Sequence, residues 1–303
     1  GRLYAWVTGV EGGLFRADAS GENFIRLYSS DHIPVSLIMA DKGHIYYATE
    51  TTLYRSTDGG LNFQIMASQP GGPGKRITGF EVHSRTATDL IAVSVADDDI
   101  GEWGGVYLYD EADFFGGWMD ANVGSYDVLD ISFSPTFDTD RTLLALATDG
   151  SDTFIMIFSA GTWRSVALKH SDSSSVPATS GSLAMPSDFD ITTNPQLYVA
   201  IDTDSLDSGG IWLCYVQPAP QSPVAFSLPV NIDGDFTSLS VNGTTGNYQI
   251  LAGTDSTGIL RSTDGGITWQ SVDRKPNGDA VTAIIGIGSE LFAASSGSDS
   301  GIF

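Results

Sequence analysis

The chain of 303 residues is poor in cysteine, in histidine and in long apolar runs. Cys214 is the single cysteine, so no disulfide can form within the chain, and its apolar surroundings "GGIWLCYV" favour a buried thiol over a reactive one. The 4 histidines are scattered without the spacing that zinc sites use. No run of roughly eighteen apolar residues occurs, which excludes a helical membrane span.

Positive charge is also scarce. The 14 Lys and Arg residues face 37 Asp and Glu residues, giving a net charge of -23. Such a surface repels nucleic acid and anionic lipid and attracts cations or basic partners. We therefore expect no nucleic-acid partner and no direct membrane insertion. Simple solubility is the alternative explanation for the charge.

A short repeat runs through almost the whole chain. Its first part is an apolar strand that ends in small residues, as in "LYAWVTG", "HIYYATE", "TLLALATDG" and "QILAGTD". A polar loop and another short strand follow each time, as in "TTLYRS", "TFIMIFS" and "GILRS". These segments are rich in Val, Ile, Leu, Tyr and Phe and are separated by Gly, Asp or Ser, which is typical of β-strands joined by turns.

The spacing of the repeat predicts the architecture. Successive copies lie about 40 to 55 residues apart, the length of a four-stranded propeller blade. An inner strand precedes most pairs and an outer strand follows them, but the first unit lacks its inner strand and the last lacks its outer strand. We predict an all-β fold: a single β-propeller domain of four-stranded antiparallel blades, with seven blades favoured and six or eight left open. The approximate blades are 1–33, 34–74, 75–123, 124–172, 173–232, 233–278 and an incomplete 279–303.

One segment is written twice, as "LYRSTDGGLNFQ" and "ILRSTDGGITWQ". Both copies fit the pattern Ser-x-Asp-x-Gly-x-x-Trp/Phe. Ser and Asp can accept hydrogen bonds from the amides of a tight turn, Gly permits a positive φ, and the aromatic ring can pack back on the sheet. The residues of the pattern are Ser56, Asp58, Gly60, Phe63, Ser262, Asp264, Gly266 and Trp269.

This pattern resembles the Asp-box, or BNR repeat, of sialidase-like and sortilin-like β-propellers. The segment "SPTFDTDRTLLALATDG" is similar to a phrase of secreted bacterial or archaeal propellers. The resemblance implies that the eight residues are structural and lie away from any active site. It also implies an extracellular or cell-surface location and a place in a larger surface assembly.

Acidic residues concentrate in particular loops. In a propeller, the loops from second to third strand and the starts of the inner strands lie at one end of each blade, and nearly all such loops here carry Asp without Lys or Arg. Aligning "FEVHS", "LDISFS" and "FDITTN" places Glu81, Asp130 and Asp190 at equivalent inner-strand positions. We expect no required cofactor, although Ca²⁺ is an option because one loop offers three carboxylates. These are Asp202, Asp204 and Asp207.

These features favour a non-enzymatic, extracellular or cell-surface interaction module whose acidic face binds cations, a basic protein or a glycan. The alternative is a glycoside hydrolase acting on a neutral polysaccharide, which needs two carboxylates about 5 to 10 Å apart. The candidate catalytic acids are Asp130, Asp190 and Glu81. A sialidase is disfavoured, because the acidic loops lack the arginines that bind a substrate carboxylate.

Overall fold

A computed structural model describes most of the chain. The described residues exclude 1, 19–22, 41–42, 100, 114–115, 171, 204–208, 217–223, 226–234, 256–257, 273–279, 288–289, 297–300 and 303. Residues 1–128 and residues 129–303 form two compact units. Within the described ranges, no helix has the length and apolar character needed to cross a membrane.

The first unit contains three antiparallel sheets. The first has the order β1-β2-β3 and consists of β1 (Leu3–Val7), β2 (Gly13–Ala17) and β3 (Ile25–Ser29). The second has the order β4-β5-β6-β7 and consists of β4 (Ser36–Met39), β5 (Ile45–Ala48), β6 (Thr52–Ser56) and β7 (Gln64–Ser68). The third has the order β11-β10-β9-β8 and consists of β8 (Lys75–Ser84), β9 (Asp89–Asp97), β10 (Gly105–Asp110) and β11 (Met119–Asp120).

Four more sheets follow, and the boundary between the units falls inside the first strand of the fourth sheet. That sheet consists of β12 (Asp127–Phe133), β13 (Leu143–Thr148), β14 (Thr153–Ser159) and β15 (Thr162–Ala167), with the helical turn α1 (Phe137–Asp140) after β12. The fifth consists of β16 (Ala178–Ala184), β17 (Gln196–Thr203), β18 (Gly210–Tyr215) and β19 (Val224–Ala225). The sixth consists of β20 (Phe236–Thr244), β21 (Asn247–Thr254), β22 (Ile259–Ser262) and β23 (Gln270–Ser271). The seventh consists of β24 (Val281–Ile287), β25 (Glu290–Ser295) and β26 (Gly301–Ile302).

Each sheet is a meander in which neighbouring strands follow one another along the chain. The second strand of most sheets is apolar on both faces; every residue of β5 and of β13 is buried. Burial on both faces explains why these strands appear in the sequence as continuous apolar runs rather than as alternating patterns. The predicted all-β fold with four-stranded antiparallel blades is confirmed, and the described residues form seven sheets.

One predicted inner strand is wrong. The alignment placed Asp190 on the inner strand of the fifth sheet, but that strand is β16, and Asp190 lies in the loop between β16 and β17. The Asp190 carboxylate accepts hydrogen bonds from the amides of Thr192 and Thr193, both at 2.8 Å, and from the Thr192 hydroxyl at 2.5 Å. Such local side-chain bonds offer the backbone an alternative to a strand.

A threonine at an inner-strand bulge links neighbouring sheets within each unit. The register of β8 shifts between Ile77 and Gly79, and that of β20 shifts between Phe236 and Ser238. The hydroxyl of Thr78 donates to the carbonyl of Val128 at 2.5 Å, and that of Thr237 donates to the carbonyl of Val281 at 2.6 Å. Each bond ties one inner strand to the inner strand of the next sheet.

Replacing Thr237 with Val tests this link, since Val keeps the shape and removes the donor. We expect the free energy of unfolding to fall by about 1 kcal/mol, because the Val281 carbonyl loses its shorter hydrogen bond and keeps only the one from the Ser238 hydroxyl at 3.0 Å. Thr282→Val is the matched control, because Thr282 is an exposed inner-strand threonine whose hydroxyl makes only a 3.4 Å contact. Urea denaturation measures both, and equal losses would contradict a specific role for the link.

Candidate functional site at the acidic blade ends

Acidic residues collect where the second strand of a sheet ends and the inner strand begins, which we call the acidic blade ends. In the first unit, this end of the third sheet carries Asp97 at the end of β9, and Asp127 lies beside it at the start of β12 in the fourth sheet. Oδ1 of Asp127 accepts hydrogen bonds from the amides of Asp97 and Gly104, both at 2.9 Å. Asp127 therefore fastens the loop between β9 and β10.

Basic side chains neutralise part of this end, which the sequence analysis missed because they do not belong to the loops. The Lys75 ammonium lies between the Asp97 carboxylate, to which it donates, and Glu102 at 3.8 Å. The Arg76 guanidinium pairs with Asp98 at 2.8 Å. Chiefly because Lys75 donates to Asp97, the pKa of that carboxyl is lowered. This end of the third sheet is an ion-pair network.

The acidic blade ends of the second unit differ, because three carboxyls meet there. Asp202 lies on β17, Asp235 directly precedes β20 and Asp255 directly follows β21. The Asp202 carboxyl interacts with that of Asp235 and with the charge of Asp255. The backbone joins the last two as well, since the Asp255 amide donates to the Asp235 carbonyl at 3.3 Å. We call these residues the carboxyl cluster.

The electrostatics of the carboxyl cluster are strained. Desolvation raises the pKa of Asp202 and the charge of Asp255 raises it further, while the hydrogen bond with Asp235 opposes both. Asp235 is buried, with 6% of its surface exposed. Among the described residues, no Lys or Arg forms an ion pair with Asp202 or Asp255. Burial and like charge both disfavour the ionised form of a carboxyl, so the cluster favours an added positive charge.

Asp130 lies half-buried on β12, where it links two inner strands. Its Oδ2 accepts from the amide of Leu183 on β16 and its Oδ1 accepts from the amide of Ile131, both at 2.8 Å. Desolvation raises its pKa to about 6, although both amides and the Ser182 side chain lower it. Both carboxylate oxygens of Asp130 thus accept hydrogen bonds from backbone amides, and the bond from Leu183 fixes the position of β16 beside β12.

The other two predicted catalytic acids lie on elements other than β12. Asp190 lies in its own loop, where its hydrogen bonds, first that from the Thr192 hydroxyl, lower its pKa to about 2. Glu81 lies half-buried on β8, in register with Ala92 of β9. Glu81 belongs to the first unit, whereas Asp130 and Asp190 belong to the second.

The predicted calcium ligands are only partly described. Asp204 and Asp207 lie outside the described residues, and Asp202 belongs to the carboxyl cluster. Within the described ranges, no group of three or more His, Cys, Asp or Glu residues has the arrangement of a metal site. Calcium binding in this loop stays a prediction.

The two Ser-Asp-Gly turns lie at the opposite end of their sheets from the loops that join second and third strands. In the second sheet, Ser56 Oγ accepts from the amide of Gly60 at 2.9 Å, and Asp58 Oδ1 accepts from the amides of Leu61 and Asn62 at 3.0 Å. The Asn62 side chain is the first cause that lowers the pKa of Asp58 to about 2. The ring of Phe63 lies against Tyr47 at 4.9 Å.

The sixth sheet repeats this turn almost atom for atom. Ser262 Oγ accepts from the amide of Gly266 at 2.9 Å, and Asp264 Oδ1 accepts from the amide of Thr268 at 2.9 Å. Gly266 has a φ of 90°, a conformation that favours glycine. Trp269 is buried, and its indole donates to the Gly266 carbonyl at 2.9 Å. These hydrogen bonds lie within the turn. The turn itself therefore explains its Ser, Asp, Gly and Trp residues, and no ligand is needed to explain them.

Asp235 and Asp255 were not proposed as site residues from the sequence, yet a signal exists. Asp127 immediately precedes Val128, and Asp235 immediately precedes Phe236. Val128 and Phe236 are buried apolar residues near the start of an inner strand. An Asp at that position can reach the loop of the preceding sheet, as Asp127 does. Comparing the residues before each inner strand would have found Asp235.

Comparison with known proteins shows the fold. The chain matches no family model and no curated protein. Among solved structures, it is similar to a GH93 α-L-arabinofuranosidase of Fusarium graminearum, with a TM-score of 0.53 and 11% identity over 88% of this chain and 90% of that chain. It is also similar to the Dos1 propeller, with a TM-score of 0.59 and 11% identity over 99% and 74% of the two chains.

Two larger proteins match over part of their length. An ancestral GH74 enzyme has a TM-score of 0.62 and 12% identity over 99% of this chain and 44% of its own. An extracellular domain from B. thetaiotaomicron has a TM-score of 0.61 and 14% identity over 99% of this chain and 37% of its own. At such low identities these likenesses establish the β-propeller fold and leave function to the site.

Replacing Asp255 with Asn tests the electrostatics of the carboxyl cluster. The pKa of Asp202 is raised in the folded state above its value of about 3.9 in the unfolded chain. The folded protein therefore loses stability as pH rises from about 3.9 through the folded-state pKa. Removing the Asp255 charge should therefore raise the melting temperature by roughly 2 °C at pH 7 and have little effect at pH 4.

The control for that substitution is Asp31→Asn, which removes an exposed charge far along the sequence from the cluster. Melting curves between pH 4 and pH 8 provide the measurement. A gain that is the same at both pH values, or the same in the control, would mean that Asp255 does not repel Asp202.

Proposed function

We propose that this chain is a non-enzymatic propeller module that binds lysine or arginine side chains of a partner protein at the carboxyl cluster. The observation that carries the proposal is the buried Oδ1 of Asp255, which has no hydrogen-bond partner, in a cluster where no described Lys or Arg forms an ion pair with Asp202 or Asp255. A partner's cationic group placed there would relieve the repulsion between the carboxyls.

The net charge of -23 supports the same class of partner. A strongly negative surface accelerates the approach of a basic protein and disfavours acidic ones. At the end of the fourth sheet the negative charge is already neutralised, because Asp152 is paired with Lys169 at 2.5 Å. The carboxyl cluster is therefore the part of the second unit where an external cation gains most.

The setting that we propose is extracellular or at the cell surface. An extracellular domain shares the fold, and an acidic module built of short sheets suits an interaction role there. We further propose kinship with Asp-box propellers, supported by the two matching turns at Ser56–Phe63 and Ser262–Trp269. Calcium at Asp202, Asp204 and Asp207 is part of the same proposal, with the loop's carboxylates as its support.

A lysine-rich peptide tests the proposed partner class. We expect the double variant Asp202→Asn with Asp255→Asn to weaken binding about tenfold, because two of the three carboxyl charges are lost, and we expect added salt to weaken binding to the wild type. The matched control, Asp31→Asn with Asp138→Asn, removes the same net charge from exposed positions. Isothermal calorimetry measures both, and an equal loss in the control would reduce the interaction to general attraction.

The second candidate function is glycoside hydrolysis. The observation in its favour is Asp130, whose pKa of about 6 suits a general acid. The hydrogen bonds from Leu183 and Ile131 to its two oxygens oppose this role, because they hold the carboxylate rather than free it for a substrate.

Turnover on arabinan, xyloglucan and related polysaccharides separates the two functions. We expect no hydrolysis by the wild type. Should turnover occur and vanish in Asp130→Asn while the melting transition persists, the binding-module proposal would fail. Asp190→Asn serves as the comparison, since Asp190 carries a pKa of about 2 and cannot act as an acid at neutral pH.

A further inference from the structure

The strands that carry the carboxyl cluster supply no cation of their own. The sequence contains no Lys or Arg between Lys169 and Arg261. This span includes β17, β20 and β21, which hold or flank the three carboxyls. The positive charge that the cluster favours is therefore absent from the strands that build it.

The cluster offers single oxygens of several carboxyls rather than both oxygens of one. Oδ1 of Asp255 is buried and has no hydrogen-bond partner. Asp235 is buried as a whole residue. Oδ2 of Asp202 accepts from the Ser180 hydroxyl at 3.5 Å. Because Asp202 belongs to the fifth sheet and the other two acids flank strands of the sixth, these oxygens are distributed over two sheets.

The two kinds of basic side chain need different arrangements of oxygens. A guanidinium is planar, and its donors form a fork that binds both oxygens of one carboxylate. An ammonium is compact and carries three donors that point in different directions, so it can bind single oxygens of separate groups. Oxygens distributed like those of the carboxyl cluster therefore suit an ammonium better than a guanidinium.

The first unit contains an ammonium at its own acidic blade end. The Lys75 ammonium donates to the Asp97 carboxylate and to the Trp103 carbonyl at 2.6 Å, and it lies 3.8 Å from the Glu102 carboxylate. Its side chain is 12% exposed. At this blade end, oxygens of three different residues thus surround one nearly buried ammonium.

The guanidinium at the same blade end is placed differently. Arg76 directly follows Lys75, yet its Nε pairs with Asp98 alone, at 2.8 Å. The two side chains of this pair are 39% and 74% exposed. Where the chain provides both cations side by side, the ammonium takes the buried oxygens and the guanidinium takes an exposed carboxylate.

We infer that the carboxyl cluster selects a primary ammonium, the Nζ of an unmodified lysine on the partner, over the guanidinium of arginine. The inference rests on the function proposed for this cluster and adds the chemical identity of the group that it binds. The ammonium would donate to oxygens of Asp202, Asp235 and Asp255, as Lys75 donates to the oxygens around it. Methylation of the lysine nitrogen would remove these donors while keeping the charge.

Three peptides of equal length and charge test this selectivity: a lysine-rich peptide, the same peptide with every Lys replaced by Arg, and the same peptide with every Lys trimethylated. We expect the lysine peptide to bind about tenfold more tightly than either of the others, because only it can donate three hydrogen bonds to separate carboxyls. Isothermal calorimetry at about 0.15 M salt provides the dissociation constants, since this salt screens general attraction.

The outcomes separate the inference from the function on which it rests. Arginine or trimethyl-lysine peptides that bind as tightly as the lysine peptide would overturn the selectivity and leave the binding of basic partners intact. Absence of binding by all three peptides would overturn both.

The variant Asp255→Asn ties the selectivity to the cluster. It should weaken the lysine peptide about fivefold and the arginine peptide by no more than about twofold, because it removes one separate acceptor carboxylate. Asp31→Asn is the matched control and should leave both affinities within about twofold of the wild type, since the charge that it removes is exposed. Equal losses for the two peptides in Asp255→Asn would mean that Asp255 acts through its charge alone, and the inference would be wrong.

Discussion

The fold depends on the burial of both faces of each second strand. A sheet of three or four short strands cannot bury two apolar faces by itself, so each sheet needs neighbours, and the repeated unit is stable only as part of a series. The fourth and fifth sheets illustrate this, because β13 and β17 contribute Leu144, Leu146 and Val199 to one continuous apolar cluster.

The links between sheets follow from that constraint. Neighbouring sheets meet through apolar side chains, which fix the distance between strands but not their register. Polar side chains of the inner strands add the register: Thr78 reaches Val128, Thr237 reaches Val281, and Asp130 reaches Leu183. Thus an inner-strand carboxylate that looked catalytic in the sequence has the same geometric role as a threonine elsewhere, and its raised pKa is a consequence of the buried link.

The acidic blade ends carry the candidate functional site, and their residues occupy repeated positions of the blades. The position before each inner strand faces the loop of the preceding sheet, and Asp is found there in both units, as Asp127 and Asp235. Where a lysine is near, as Lys75 is to Asp97, an ion pair results. In the sixth sheet, a second acid, Asp255, follows β21, and its charge adds to the desolvation that raises the pKa of Asp202. The Asp before an inner strand has a structural role in the first unit. In the second unit, one additional acid, Asp255, makes the same position part of an electrostatic site.

Much of this was predictable from the sequence, and the failures have physical reasons. The strands and the Ser-Asp-Gly turns were found because they depend on local patterns: apolar runs, and side-chain oxygens that accept from amides within four residues. The position of Asp190 was not found, because "SDFDITTNP" has a strand-like apolar alternation whose outcome is decided by hydrogen bonds of the Asp190 carboxylate to Thr192 and Thr193. The pairing of Asp202 with Asp235 was not found, because it joins residues of different sheets.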